Sequence, residues 1–222
     1  MIDWSLFPLR ILARLKEHPA IRGGRRQPKI WRDTSNFTSI DYGDIILVDN
    51  RYFLVTGYTR EGRFGIDDQP KQWVPKVQDL ETGESNILKL VFHETYKIRF
   101  GDLEVTCYRS PEKEARVLEL VRGNPSFMQG YSVLDDAENL VRVLDVVPGN
   151  RMDKYIQKLG ATHEEYFHEH LSGVLDRFLV SVRAIAYLHS HGLKHGDIRR
   201  DHIFVDWDMG HFLWIDFDYD FY

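Results

Sequence analysis

The residues best suited to chemistry lie near the end of the sequence, where two acidic loops border apolar segments. Residues 195–206 are charged and follow a long helical pattern of apolar residues, and residues 212–218 begin apolar and end acidic. A charged loop after a buried helix, followed by a strand that ends in a second acidic loop, predicts that Asp197 and Asp216 lie at the mouth of one cleft. The alternative, a surface acidic turn, explains neither the nineteen-residue spacing of these carboxylates nor the apolar flanks.

These two loops resemble the signature loops of the protein-kinase superfamily. Residues 195–197, His-Gly-Asp, match its His-x-Asp catalytic loop, and residues 216–218, Asp-Phe-Asp, match its Asp-Phe-Gly metal loop. The resemblance covers roughly residues 44–218. It implies an ATP- and Mg²⁺-dependent kinase of protein-kinase-like fold, of an atypical, bacterial serine/threonine type, that phosphorylates a hydroxyl acceptor.

The resemblance also implies a role for each charged residue of the loops. Phosphoryl transfer needs an acceptor hydroxyl oriented by a carboxylate, and a divalent metal that bridges the phosphate oxygens. By resemblance, Asp197 is the catalytic base or positioning residue and Asp216 is the Mg²⁺ ligand. Arg199 stands where the family often has Lys, and it can neutralise the transferring phosphate.

Upstream, one lysine interrupts the apolar run of residues 86–92. Burial of an ammonium group is unfavourable unless it meets an anion, whereas a lysine on an edge strand can face water. By resemblance, Lys89 holds the ATP phosphates and pairs with a Glu on the next helix. Glu114 is the candidate for that Glu, and Glu112 is the fallback.

The signal for a loop that covers the phosphates is weaker. Gly62 and Gly65 match the last two glycines of the family's loop, and Arg60 stands where the first would be. Glycines at such positions let backbone N–H groups approach phosphates, but an ordinary hairpin turn uses glycines as well. Gly62 and Gly65 are therefore candidate ATP-binding residues, with the hairpin turn as the alternative.

Three departures from the family pattern define the alternative functions. His202 occupies the Asn position, where a neutral imidazole can bind a metal or hydrogen-bond the loop, although Mg²⁺ prefers oxygen ligands. His202 and the imperfect glycine loop favour a pseudokinase, a nucleotide-binding or docking module without transfer activity. Gly196 replaces an Arg on which a phosphorylated loop can dock, which argues against that route of activation. Asp218 replaces Gly and resembles choline and aminoglycoside kinases, which suggests a small-molecule kinase.

The elements that position these residues predict an α+β chain. Its first part is a β-rich lobe with one helix, and the second is the beginning of a helical lobe. Strands are predicted at residues 45–48, 52–58, 73–79, 86–92, 131–134 and 140–147, with a hairpin at 96–108 about Gly101-Asp102. Helices are predicted after a Ser5 cap, at 112–122 after a Ser110 cap, and at 171–189. The first helix is expected to bury Leu6, Leu9, Leu12, Ala13 and Leu15. The predicted divisions are a basic helix and linker at 1–40, an N-lobe at 41–148 and a partial C-lobe at 149–222.

Composition limits the class of protein. With 222 residues, 43% hydrophobic and 13% aromatic, the chain can bury a core and is too apolar for a disordered protein. The one cysteine, Cys107, cannot form an internal disulfide, which fits a reducing compartment. No apolar run is long enough to span a membrane. We therefore expect a cytoplasmic protein.

Charge is distributed unevenly along the chain. The first 32 residues hold eight basic and two acidic side chains, although the whole chain has a net charge of -5. A basic arm can bind nucleic acid or an anionic membrane, or it can lie on an acidic part of the same chain. The intramolecular interpretation is favoured, because no basic run with interleaved aromatic residues is present, and no nucleic-acid partner is expected.

The family's fold continues past its metal loop into further helices, so we expect a truncated kinase domain whose phosphate acceptor cannot be read. The helix at 171–189 carries apolar residues over more than a narrow stripe. An uncovered apolar helix face promotes association. We therefore expect this chain to self-associate and to have weak activity.

Overall fold

The computed structural model describes residues 2–22, 26–63, 66–154, 160–206 and 211–222. By compactness the chain divides into two units, residues 1–92 with 131–146 and residues 93–130 with 147–222. The sequence-based division at residues 40 and 148 stays a prediction, because compactness alone does not define where a domain begins.

Both units contain strands and helices. The strands are β1 (Ile30–Trp31), β2 (Ile45–Val48), β3 (Arg51–Arg63), β4 (Ile66–Asp79), β5 (Ser85–Lys89), β6 (Thr95–Phe100), β7 (Leu103–Arg109), β8 (Gly130–Leu134), β9 (Leu140–Asp145), β10 (Asn150–Arg151), β11 (Ile203–Asp206), β12 (His211–Trp214) and β13 (Tyr219–Phe221). The helices are α1 (Leu9–Glu17), α2 (Pro19–Arg22), α3 (Pro111–Leu120), α4 (His163–Glu165) and α5 (Leu171–Ser190), with a π-helical turn at Tyr166–His170.

The first unit is built on a sheet with the strand order β1-β2-β3-β4-β5-β9-β8. Asp49 and Asn50 form the predicted turn between β2 and β3, with φ of 51° and 60°, as a type I′ hairpin requires. Leu47 joins the hydrophobic cluster that contains Ile11 of α1, whereas its neighbour Val48 joins a different cluster. Both faces of β2 are therefore covered, which explains why its sequence is continuously apolar.

The first helix is present, but its predicted cap is wrong, and of its predicted face only Leu15 is buried and Leu12 partly buried. Asp3, not Ser5, caps a short 3₁₀ turn before α1, and its carboxylate accepts a hydrogen bond from the Ser5 N–H at 3.0 Å. The buried positions follow four-residue steps and are Phe7, Ile11 and Leu15. Leu6 and Leu9 are 58% and 88% exposed. Phe7 lies before α1 but belongs to the same buried row of side chains. The helical periodicity of α1 alone therefore could not identify the buried face of the helix.

The basic arm packs on its own unit through ion pairs. Arg10 Nε lies 2.7 Å from Glu81 Oε1, and Arg26 Nη1 lies 2.8 Å from Asp44 Oδ1. The Asp44 side chain is only 1% exposed, so its pair with Arg26 is more than a surface contact. These pairs support the intramolecular interpretation of the arm.

In the second unit, β6 and β7 form the predicted hairpin, with φ of 61° at Gly101. The chain then enters α3, where the Ser110 side chain accepts a hydrogen bond from the Lys113 N–H at 3.1 Å, which confirms the predicted cap. β13 pairs antiparallel with β7 and makes a three-stranded sheet in the order β13-β7-β6. The sequence did not predict this third strand.

The long helix α5 is confirmed in position and in its amphipathic character. It ends before Gly192, whose φ is 71°, a conformation that favours glycine. Its buried side packs towards β12, and Trp214 Nε1 donates a hydrogen bond to the Ser181 carbonyl oxygen at 3.1 Å. Phe178 and Leu179 are about half exposed, at 47% and 49%.

These elements confirm the predicted α+β fold class. A large sheet dominates the first unit, and the second unit holds α3, α5 and two small sheets. None of the helices within the described residues is long and apolar enough to span a membrane.

Candidate active site

The loop between α5 and β11 is anchored by a buried histidine. His195 is 1% exposed, and its ring packs on Trp214 and Phe217 at centroid distances of 5.2 and 4.8 Å. Burial and then the neighbouring His202 lower the pKa of His195 to about 3, so its imidazole is neutral at ordinary pH. The Asp197 N–H donates to its Nδ1 at 3.3 Å. His195 therefore fixes the backbone of the residue that is predicted to be catalytic.

Gly196 is required by the way the second unit packs. Its φ of 90° is in the region that favours glycine. A Cβ atom on this residue would lie 2.8 Å from the Tyr219 carbonyl carbon, closer still to the carbonyl oxygen, and 3.0 Å from Lys113 Nζ. The departure at Gly196 is thus explained by the close passage of β13.

His202 lies between Asp197, the predicted catalytic carboxylate, and Asp216, the predicted metal ligand. Its Nδ1 is 2.8 Å from the Asp197 carbonyl oxygen and 3.6 Å from Asp197 Oδ2, and its Nε2 is 3.3 Å from Asp216 Oδ2. A carbonyl oxygen can only accept a hydrogen bond, so Nδ1 carries a proton and donates it. His202 is 4% exposed, so this buried imidazole lies against both loops.

The same arrangement leaves Nε2 of His202 facing a carboxylate. In the neutral tautomer that donates through Nδ1, Nε2 carries a lone pair, and it opposes Asp216 Oδ2 unless a proton or a cation lies with them. An imidazole nitrogen and a carboxylate oxygen together suit a divalent cation, so these residues fit a bound metal ion.

Asp216 and His202 alone would make only part of a metal coordination shell. Among the residues that the structure describes, no group of three or more His, Cys, Asp or Glu side chains is placed to hold a metal ion. A cation held by Asp216 and His202 would therefore take its other ligands from elsewhere, such as phosphate oxygens or water.

Asp216 is held in an uncommon backbone conformation. Its φ is 67°, which is sparsely populated for a residue with a side chain and is often found at functional sites. The next residue, Phe217, is fully buried, and its ring packs on Phe127 at a centroid distance of 5.9 Å. The Phe217 N–H donates to Glu114 Oε1 at 3.2 Å. Helix α3 thus fixes the metal loop through a buried carboxylate.

The upstream candidates lie in different units. Glu114 is fully buried on α3 in the second unit, whereas Glu112 is exposed. Lys89 lies on β5 in the first unit, and β5 is a central strand between β4 and β9. Lys89 is 5% exposed, which excludes the alternative of an edge-strand lysine that faces water. The predicted pairing of Lys89 with Glu114 stays a prediction.

Of the two glycine-loop candidates, Gly62 lies among the residues that the structure describes. Gly62 lies within β3, next to the pair between Arg63 and Ile66, and Arg60 pairs with Pro70 on β4. Gly65 lies outside the described residues. Both the ATP-binding and the hairpin interpretation of these glycines stay open.

Arg199 lies near Asp197, the predicted catalytic carboxylate, but its closest partner is Asp201. Its Nε donates to Asp201 Oδ1 at 3.0 Å, whereas its Nη1 is 3.8 Å from Asp197 Oδ2. The side chain is 38% exposed. Arg199 therefore remains accessible to an anion next to Asp197.

Sequence reasoning missed two buried cations that contact the loops. Arg109 Nη1 lies 2.9 Å from Asp218 Oδ2, and Lys113 Nζ donates to the His195 carbonyl oxygen at 3.1 Å and also to the Tyr219 carbonyl oxygen. Burial opposes the charge on Arg109, but Asp218 and then Asp216 outweigh it and raise the pKa of the guanidinium. One signal was present in the sequence, since Lys113 lies four residues before Val117 on the buried face of α3.

Comparisons with known proteins relate this chain to protein kinases. No protein-family model matches the chain. The chain is 33% identical over 95 residues to a ribosomal protein S6 kinase alpha-2 of Caenorhabditis elegans, which covers 43% of this chain and 11% of that protein. It is 29% identical over 152 residues to the serine/threonine-protein kinase PKH2 of Saccharomyces cerevisiae, which covers 68% of this chain and 13% of that protein.

The chain therefore spans only about a tenth of the length of these curated relatives. A crystal structure of Rad53 in complex with AMP-PNP is similar over 65% of this chain and 34% of that chain, with 21% identity and a TM-score of 0.40. The curated relatives confirm the protein-kinase-like resemblance predicted from the sequence. The bacterial type stays a prediction.

Proposed function

We propose that this chain carries the nucleotide-binding and catalytic part of an ATP-dependent phosphotransferase of the protein-kinase type, which transfers the γ-phosphate of ATP to a hydroxyl acceptor. The observation that carries the proposal is the buried imidazole of His202, which contacts both Asp197 and Asp216. The names of the curated relatives, which are serine/threonine kinases, support the same chemistry.

In this proposal, Asp197 orients the acceptor hydroxyl and accepts its proton. Its carboxylate is 21% exposed, so an acceptor can reach it, while its backbone is held by His195 and His202. Arg199 lies on the same side and neutralises charge on the transferring phosphate. Such a site acts by positioning and electrostatics, with little covalent work for the protein.

Asp216 and His202 are the proposed metal ligands, and Lys89, Glu114, Gly62 and Gly65 are the proposed nucleotide-binding residues. A bound divalent cation, Mg²⁺ by resemblance, would bridge phosphate oxygens and neutralise their charge. The left-handed backbone of Asp216 is pre-set by the buried Phe217, so the carboxylate needs little reorganisation to act as a ligand.

One observation favours the pseudokinase as a second candidate. If His202 Nε2 carries a proton, it forms an ion pair with Asp216 at 3.3 Å and occupies the carboxylate that a metal needs. The small-molecule kinase, suggested by His-Gly-Asp at residues 195–197 and Asp-Phe-Asp at residues 216–218, remains an alternative, and the ion pair between Asp218 and Arg109 does not decide between acceptors.

The test is transfer of labelled phosphate from ATP by wild type, Asp197→Asn and the surface control Asp102→Asn. We expect Asp197→Asn to lower transfer by orders of magnitude with ATP affinity nearly unchanged, the pattern of lost transition-state stabilisation. The control should match wild type, because Asp102 lies in the exposed β6–β7 turn. Casein, choline and an aminoglycoside are offered in parallel as acceptors. A wild type that binds ATP but never transfers phosphate, to itself or to any acceptor, would identify a pseudokinase.

A further inference from the structure

The strand before helix α3 ends in a buried arginine that contacts the segment after the metal loop. Arg109 is 6% exposed and Asp218 is 2% exposed. Arg109 Nη1 lies 3.1 and 2.9 Å from the two carboxylate oxygens of Asp218. A buried ion pair persists only when hydrogen bonds satisfy the remaining donors and acceptors of both groups.

Those remaining groups form a closed network. Arg109 Nε donates to Glu94 Oε2 at 2.8 Å, and Arg109 Nη2 donates to the Tyr219 hydroxyl at 2.6 Å. The Tyr219 hydroxyl donates in turn to Glu94 Oε2 at 2.7 Å. The guanidinium also lies over the Tyr219 ring, 4.3 Å from its centroid. Each edge of the guanidinium therefore has an assigned partner.

The backbone reinforces the same connection. Tyr219, Asp220 and Phe221 form β13 and pair with Arg109, Tyr108 and Cys107 of β7. The Ser110 N–H donates to the Asp218 carbonyl oxygen at 2.6 Å. The residues that follow the metal loop are thus tied to the beginning of α3 by side chains and by main chain.

Asp216 lies between two of these attachments. On one side, the Phe217 N–H is held by Glu114, and on the other side Asp218 is held by Arg109. The φ of 67° at Asp216 would relax to a commoner value if either attachment were lost. Asp216 is therefore held in place by Arg109 at the end of β7 and by Glu114 in the first turn of α3.

Lys113 connects the catalytic loop to the same assembly. Its ammonium, 5% exposed, donates to the carbonyl oxygens of His195 and Tyr219 and lies beside Gly196. Lys113 of α3 therefore supplies the positive charge next to Gly196, where the loop residue itself has no side chain.

We propose that Arg109, supported by Lys113, is a positioning residue that holds Asp216 in its metal-binding conformation without a phosphorylated residue. The proposal rests on the proposed function, because it assigns the purpose of that conformation. The proposal thereby assigns a role to the β6–β7 hairpin, which places Arg109 next to the metal loop.

The test compares Arg109→Met and Arg109→Lys with Arg99→Met, which makes the same change at an exposed arginine of the same hairpin. Two quantities are measured for each: hydrogen exchange of the peptide at residues 214–222 without ligand, and the ratio of ATP affinities with and without Mg²⁺. Arg109→Met should speed the exchange and lower the Mg²⁺-dependent gain in affinity about tenfold, with metal-free ATP binding unchanged. Arg109→Lys should recover part of both, and Arg99→Met should match wild type.

A stability role alone would lower the melting temperature of Arg109→Met and speed exchange to a similar extent in peptides throughout the second unit, while the Mg²⁺ ratio stayed at its wild-type value, and that result would overturn the proposal. If Arg109→Met does not fold, the double variant Arg109→Met/Asp218→Met removes both buried charges and is expected to fold. Wild-type exchange and Mg²⁺ ratio in that double variant would also overturn the proposal. A wild type without Mg²⁺-ATP binding would refute the proposed function. The hydrogen-exchange measurement would still test whether Arg109 holds Asp216 in place.

Discussion

Substitution of Gly196 by alanine tests how tightly the catalytic loop packs against β13. The new Cβ atom would lie 2.8 Å from the Tyr219 carbonyl carbon and nearer to its oxygen. A left-handed φ costs an L-residue roughly 1–2 kcal/mol, and overpacking typically adds about 1–3 kcal/mol. The sum, roughly 2–5 kcal/mol, is a large share of the stability of an ordinary domain.

The matched control is Gly192→Ala. Gly192 has a similar φ of 71°, but a Cβ atom there would meet nothing within 4 Å. Gly192→Ala should therefore carry only the backbone penalty. The free energy of unfolding of both variants is measured by urea titration with circular dichroism. Gly196→Ala should be the less stable by about 1–3 kcal/mol, because the obstacle is backbone that β7 holds in place. Equal losses in the two variants would refute the packing described here.

Three further predictions concern acid stability, metal preference and association. The pKa of His195 falls from 6.5 to about 3 on folding. The contribution of its buried neutral imidazole to the free energy of unfolding is therefore complete above pH 6.5 and is lost as the pH falls. The stability of wild type relative to His195→Phe should then drop by about 1.4 kcal/mol per pH unit below 6.5, measured by urea unfolding at several pH values, and a pH-independent difference would contradict a buried neutral imidazole. His202→Asn should shift the ratio of ATP affinities in Mg²⁺ and Mn²⁺ about tenfold towards Mg²⁺ by calorimetry, because Mg²⁺ prefers oxygen to nitrogen, and an unchanged ratio would remove His202 from the ligands. Phe178→Ser with Leu179→Ser should lower self-association in sedimentation, since both side chains are about half exposed, and a wild type that sediments as a monomer would show that this face does not associate.

Local signals made several elements predictable. The turn at Asp49 and Asn50 and the Ser110 cap depend on neighbouring residues, and the structure has both where the sequence placed them. The amphipathic pattern of α5 was long enough to fix its limits within a residue or two. The spacing of Asp197 and Asp216 likewise led to two loops that meet at one side chain, His202.

Long-range pairings were out of reach. β13 pairs with β7 across more than a hundred residues, and three residues carry no periodic pattern from which a strand could be predicted. The ion pair between Arg109 and Asp218 depends on that pairing, so neither residue could be assigned from its neighbours. Gly196 was recognised as a departure, but its reason is the backbone of Tyr219, which only the fold brings close.

The burial of a charged residue was predicted only where that residue belonged to a motif of the resembled family. Lys89 was expected to be buried because of its resemblance to a nucleotide-binding lysine, and it is 5% exposed. Lys113 has the same exposure, but it belongs to no family motif and was not singled out in the sequence. Lys113 differs from a surface lysine because it donates to two carbonyl oxygens, those of His195 and Tyr219, on distant segments of the chain.

The most direct test of the central claim is the melting temperature of the chain with and without Mg²⁺-ATP. ATP at ten times its Kd stabilises the folded state by about 1.4 kcal/mol, which raises the Tm of a chain of this size by roughly 3–6 °C. We expect that rise in wild type, a smaller one in Asp216→Asn that no longer depends on Mg²⁺, and none in Lys89→Met. The absence of any rise in wild type at millimolar Mg²⁺-ATP would contradict the assignment of a nucleotide site to these residues.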